Sequence, residues 1–186
     1  MSMSWYSPVN KPINLGRLLV LGIVLLSPCS VESQSSTMET LLAPLDDGSY
    51  QLCTEPDPQD WHDGSGTCLN ILKQGTMLEG YYGSPHSGSF VCLRGQVSEN
   101  WFHGQGLVTS WAGTVWQDVP QETFIWDYPE NRLSLCQGEL VRSEGVGADQ
   151  ISWIMFRTAR LNMQSMYLYD SPRMTSPMQL CDWSLE

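Results

Sequence analysis

An antiparallel all-β fold is what this 186-residue sequence predicts, and three observations predict it. Short runs rich in Val, Ile, Leu, Tyr, Phe and Trp recur along the chain. Gly, Asn, Asp and Pro punctuate them, and no window of a dozen residues carries the apolar stripe of a helix. Consecutive hairpins of this kind make a meander. A meander this long has to close into a small barrel or fold into a two-layer sandwich to protect its edges. The length suits one ordinary core, so separate cofactor and substrate halves are not expected.

The first strand is expected at residues 50–54, entered through Asp47-Gly48. Residues 67–74 (TCLNILKQ) and 77–82 (MLEGYY) meet at Gly75-Thr76, a turn that a two-residue hairpin accepts. Residues 89–97 and 101–109 meet at Ser98-Glu99-Asn100, and residues 124–127 and 132–141 at Tyr128-Pro129-Glu130-Asn131. Residues 150–161 (QISWIMFRTARL) read as the longest strand, with Ile151, Trp153, Met155, Ala159 and Leu161 on one face, interrupted by Arg157. Gly80, Gly95, Gly104 and Gly106 fall inside strand patterns, where glycine marks a bend or a close approach, so they are expected where the sheet coils. Residues 162–169 suit a helical turn or an extended plug. An irregular C-terminal tail follows through Pro172 and Pro177, with Trp183 docking beside Cys181.

The N-terminus reads as an address. Lys11 and Arg17 precede a nine-residue apolar run at 18–26 (LLVLGIVLL), short of the roughly 18 residues that span a bilayer. An export signal fits, and an uncleaved anchor is the competing reading. Leu26-Ser27-Pro28-Cys29 resembles the lipobox of bacterial lipoproteins, which makes Cys29 the candidate lipidation site. Pro28 departs from that pattern, and cleavage near Val31-Glu32-Ser33 is the rival. The expected organisation is a signal over residues 1–28, a polar tether over 29–44 and a single all-β domain over 45–186. The destination is the periplasm or cell envelope.

Loss of residues 1–28 would remove Lys11 and Arg17 and no acid, leaving 7 basic against 20 acidic residues and a net charge of −13 instead of −11. Nucleic acid and anionic lipid are excluded as partners by charge, so a membrane would hold the chain only through a lipid. The charged fraction is 16%, too low for a charge-rich disordered chain. Six cysteines in an exported chain are expected to pair. Cys53 and Cys68 flank a stretch with Pro56, Pro58, Gly64 and Gly66, which turns the chain back, so they are the candidate pair. Cys181 should tie down the tail to a partner that spacing does not identify. Lipidation of Cys29 would leave an odd five. No close pair such as C-x-x-C supports a structural zinc site.

Asp47-Gly48-Ser49-Tyr50 with Cys53, Gly66-x-Cys68, Lys73-x-Gly75, Gly80-x-Tyr82, Cys92-x-x-Gly95, Gly104-x-Gly106 and the stretch 159–169 together are similar to a group of exported cyanobacterial proteins. Gly48-Ser49-Tyr50 also resembles the glycine-x-tryptophan opening of lipocalin-like barrels. The resemblance implies an all-β fold and an exported location. It implies no activity, and no catalytic residue carries over from it.

His62, Asp63 and His86 are the candidate metal ligands, should the hairpin loops bring them together. Ordinary turn histidines are the competing reading. His103 lies on a strand. Glu55, Asp57, Asp60 and Asp63 offer oxygen ligands, but their spacing is not that of an EF-hand, and a solvated acidic loop fits better. Ser84 and Ser87 flank His86 without the strand-to-helix elbow of a serine hydrolase. Nothing singles out two acids among Glu79, Glu99, Glu122 and Glu139 for glycoside hydrolysis. Trp101, Trp111, Trp116 and Trp126 are candidate ligand-binding residues, able to stack on sugar rings or line the mouth of a barrel. The same indoles could equally fill a core. The expectation is therefore an exported cell-envelope β-domain that binds a small ligand or an envelope component, or has a structural role, without catalysis or cofactor. A lipocalin-like carrier of a small apolar or sugar ligand is the alternative, and an envelope hydrolase the second.

Overall fold

The computed structural model describes Leu42 and residues 44–58, 62–110 and 118–185. The apolar run at 18–26, Cys29, Asp60, Trp111 and Trp116 lie outside the described residues. Among those described, no helix is long and apolar enough to cross a membrane.

The strands are β1 (Gly48–Cys53), β2 (Cys68–Gln74), β3 (Met77–Gly83), β4 (Phe90–Ser98), β5 (Trp101–Ser110), β6 (Phe124–Ile125), β7 (Leu133–Glu144), β8 (Ile151–Asn162) and β9 (Tyr167–Leu168), and one short helix, α1 (Pro177–Leu180), follows. All pair antiparallel in a single sheet of order β6-β7-β8-β5-β4-β3-β2-β1-β9, curled into a half-barrel. The all-β expectation holds. The meander runs only from β1 to β5, because β8 and not β6 pairs with β5. With two residues, β6 cannot cover the ten of β5, whereas the twelve of β8 can. The chain leading into β6 lies instead along β7, where Gly138 N–H donates to the Pro120 carbonyl at 2.8 Å.

The curl is visible in one hydrogen bond. Tyr82 of β3 donates its hydroxyl to Asp127 Oδ2 at 2.8 Å, although three strands separate β3 from β7 in the sheet and Asp127 sits in the turn between β6 and β7. Asp127 Oδ1 accepts the Leu133 amide at 2.9 Å and the Arg132 amide at 3.0 Å, so a buried carboxylate both shapes the turn and ties it across the concave side. Trp126 tilts against Tyr82 with ring centroids 6.1 Å apart, and Phe124 against Phe156 at 5.5 Å.

Burial first, and the Asp127 carboxylate second, push the Tyr82 hydroxyl far above its usual 10. Burial likewise raises Tyr81 and Tyr169. The folded chain thus keeps phenolic protons that the unfolded chain releases, so its stability should be unaffected by these groups up to about pH 10 and fall above it. Phenolate absorbance followed against pH should show these rings ionising together with unfolding. Tyr82→Phe should flatten the alkaline decline while costing about 1–3 kcal/mol at neutral pH, because an Asp127 oxygen loses a buried donor.

Two local distortions explain the curvature. Gly95 and Gly104 lie directly opposite each other across β4 and β5. A Cβ on Gly95 would overlap the His103 carbonyl, and one on Gly104 the Arg94 carbonyl, so the backbones approach only because neither residue has a side chain. In β8 the pairing with β5 slips by one residue, since Gly104 pairs with Ala159 but Gly106 with Phe156. The expected single face is corrected by that bulge. Phe156, Ala159 and Leu161 point into the concave core, while Trp153 and Met155 pack on the outer side.

Among the described residues, the concave side carries the main buried core. Tyr82, Phe102 and Phe156 are each at most 1% exposed, and Met163 and Met166, from the stretch expected as a plug, are buried with them. The outer face carries a second cluster, Tyr81, Leu107 and Met155, over which the C-terminal tail folds. A disulfide between Cys92 and Cys181 fastens that tail, and Arg94 lies 4.4 Å from the centre of the Trp183 ring. The expected pair, Cys53 and Cys68, is bonded across β1 and β2. These two disulfides among the described residues are the mark of an oxidising, exported location.

Candidate functional site

With the concave side occupied by core, the cavity of interest lies on the outer face. It measures about 280 Å³ and is floored by Tyr81 and Phe90, whose rings meet edge to face at 5.6 Å. One wall is the turn between β3 and β4, with Pro85 and His86. Asp63 forms a second wall, and Met174 and Leu180 of the tail a third. Three segments distant in sequence converge here. A larger depression of about 390 Å³ lies beside Glu139 and Arg157, but polar residues and Gly138 alone line it.

The walls are fixed from beneath. Gln51, fully buried on β1, donates through Nε2 to the Asp63 carbonyl, and its Oε1 accepts the Arg173 amide at 2.7 Å and the Met174 amide at 3.3 Å. One side chain therefore holds two walls. The Thr175 carbonyl accepts Asn70 Nδ2 and Tyr81 Oη, both at 2.7 Å. The Arg173 guanidinium pairs with Asp57 and lies over the Tyr169 ring, whose hydroxyl accepts the Ser65 amide at 3.2 Å. Gly64 has φ +128°, and a Cβ there would press on both sulfurs of the Cys53–Cys68 bridge at 2.9 Å, so this residue needs to be glycine.

The expected metal ligands separate into a pair and an outlier. Asp63 Oδ2 accepts His86 Nε2 at 2.6 Å, whereas His62 is exposed and stands outside that pair. Among the described residues no three His, Cys, Asp or Glu side chains form a group that could hold a metal ion. The acidic loop splits too: Glu55 accepts the Ser65 hydroxyl at 2.7 Å, Asp57 faces Arg173 and Asp63 faces His86. Ser87 donates its hydroxyl to the Ser84 carbonyl at 2.7 Å. Glu79 pairs with Arg94 and Glu139 with Arg157.

Of the candidate tryptophans, Trp126 packs against the concave core. Trp101 is half-buried on β5 under Arg160, 5.1 Å from its ring centre, and 6.4 Å from the His103 ring. Burial, with Arg160 adding to it, holds His103 below the ordinary histidine range. The outer cavity thus contains none of the described tryptophans that were expected to bind a ligand.

Sequence reasoning reached Asp63 and His86 but missed the floor and the tail. Tyr81 and Phe90 flank the Ser84-Pro85-His86-Ser87-Gly88 turn, and aromatics placed on both arms of a Gly-rich turn were a usable signal. Met174 and Leu180 carried none, because the disulfide that seats the tail was not deducible from spacing.

All seven Lys and Arg residues beyond residue 28 have internal partners. Lys73 donates to the Leu45 carbonyl at 2.8 Å, and Arg132 to the Gln164 carbonyl at 2.6 Å. Arg94, Arg142, Arg157 and Arg173 meet carboxylates, and Arg160 meets a ring. The charges left over are acidic. Compared with known proteins, the chain matches no family model, no curated protein and no solved structure.

Proposed function

We propose that this chain is an exported β-domain of the cell envelope that binds a small ligand in the outer-face cavity and does so without catalysis. The observation that carries the reading is that Gln51, Asn70 and two disulfides fix the walls of a cavity with an aromatic floor, while the described residues of the concave side form the buried core. Binding sites are preformed, mostly apolar concavities with a few placed polar groups, and this one is at the small end of their range. The Asp63–His86 pair has the form of a base with its orienter, but the Ser87 hydroxyl beside it is directed at a backbone carbonyl. The apolar run at 18–26 and the disulfides together support residence in the periplasm or envelope.

Benzyl alcohol is a suitable probe, being one ring with one polar group. Titrated into isotope-labelled protein, it should give saturable NMR shifts confined to Tyr81, His86, Phe90, Met174, Thr175 and Leu180. Leu180→Trp, which fills the mouth from an exposed position, should abolish them. Shifts scattered over the surface, or unchanged in that variant, would defeat the reading.

A further inference from the structure

We infer that the ligand of this cavity is a small amine, an apolar body carrying one protonated nitrogen held by the Asp63 carboxylate. The inference rests on the cavity being the binding site and goes on to name the chemistry it selects. Asp63 is the one Asp, Glu, Lys or Arg residue on the described lining. Its carboxylate has about four acceptor positions, and His86 Nε2 occupies one of them. Its field reaches the floor, since it contributes to the raised Tyr81 hydroxyl after burial. Tyr81 and Phe90 offer ring surface, and a cation beside such rings gains further attraction.

What makes the selection one-sided is the state of the basic residues. An anionic ligand is best met by a guanidinium or ammonium, and Arg173, next in sequence to the lining residue Met174, is turned to Asp57 and stacked on Tyr169. The other six are engaged elsewhere in the fold. A neutral ring would fill the cavity, an acid would be repelled, and an amine would gain from both its body and its charge.

Three probes of nearly equal size separate these outcomes by NMR titration at neutral pH: benzylamine, benzyl alcohol and benzoate. Benzylamine should bind about fivefold tighter than benzyl alcohol, the size a part-exposed ion pair supports, and benzoate should not bind. Asp63→Asn keeps the backbone carbonyl that Gln51 holds and should erase the preference for benzylamine over benzyl alcohol. Raised salt should weaken benzylamine alone in the unaltered protein, which serves as a readout free of any folding effect of the substitution. Equal affinity for amine and alcohol, a preference that survives in Asp63→Asn, or binding of benzoate overturns the inference while the cavity remains a ligand site. If neither benzylamine nor benzyl alcohol shifts the lining residues, the inference falls together with the reading beneath it.

Discussion

The double variant Cys92→Ser/Cys181→Ser is expected to lose about 4–5 kcal/mol of stability on the chain-entropy model, read as a lowered denaturant midpoint. The bridge spans 89 residues of sequence, and a long closed loop removes more freedom from the unfolded chain than a short one. For a domain whose total stability is about 5–15 kcal/mol, that is a large share. The loss should also be localised. Cys181 and Trp183 pack on Tyr81, Leu107 and Met155, so releasing the tail uncovers that cluster and opens the cavity wall that Met174 and Leu180 supply. The corresponding change at Cys53 and Cys68, separated by 15 residues, should cost about 3 kcal/mol. If the longer bridge proves the cheaper to remove, tail docking is not what the disulfide stabilises.

Gln51→Leu should cost about 3–5 kcal/mol, more than most single substitutions, despite preserving size and increasing apolarity. The side chain is fully buried and satisfies three backbone groups at once, the Asp63 carbonyl and the amides of Arg173 and Met174. Each buried group left without a partner costs roughly 1–3 kcal/mol. Amide hydrogen exchange at Arg173 and Met174 should accelerate well before global unfolding, and the benzyl alcohol response of the cavity should broaden or vanish. Wild-type exchange at those two amides in the Gln51→Leu variant would show that the tail is held by its disulfide alone.

Strand positions were legible because hydrophobic alternation and turn residues are local, and each expected hairpin appears with its strand ends within three residues of the expectation. Pairing order was less legible. That β8 docks on β5 depends on the relative lengths of β5, β6 and β8, a comparison across half the chain. The face assignment of β8 failed at Arg157 because a bulge resets the period of two, and nothing in the string ISWIMFRTARL distinguishes a bulge from an exposed charge. Cys53 and Cys68 were readable from the proline and glycine between them. The partner of Cys181 was not, since Cys92 sits mid-strand with no turn chemistry to mark it. The candidate site divides in the same way. Asp63 and His86 advertise themselves as rare titratable residues in turns, whereas Gln51 looks like one more polar residue in a strand until its burial is known.

The placement of β8 between β5 and β7 has a bearing on how the chain acquires its shape. A polypeptide delivered amino end first can zip β1 to β5 together by near-neighbour contacts, but β5 must then wait with a naked edge until β6 and β7 have followed and β8 arrives. Pairings between remote stretches form slowly, and a waiting edge is open to capture by another chain. The interval between emergence of β5 and arrival of β8 is therefore when this molecule is most exposed to self-association, and a chaperone that shields strand edges would serve it best then.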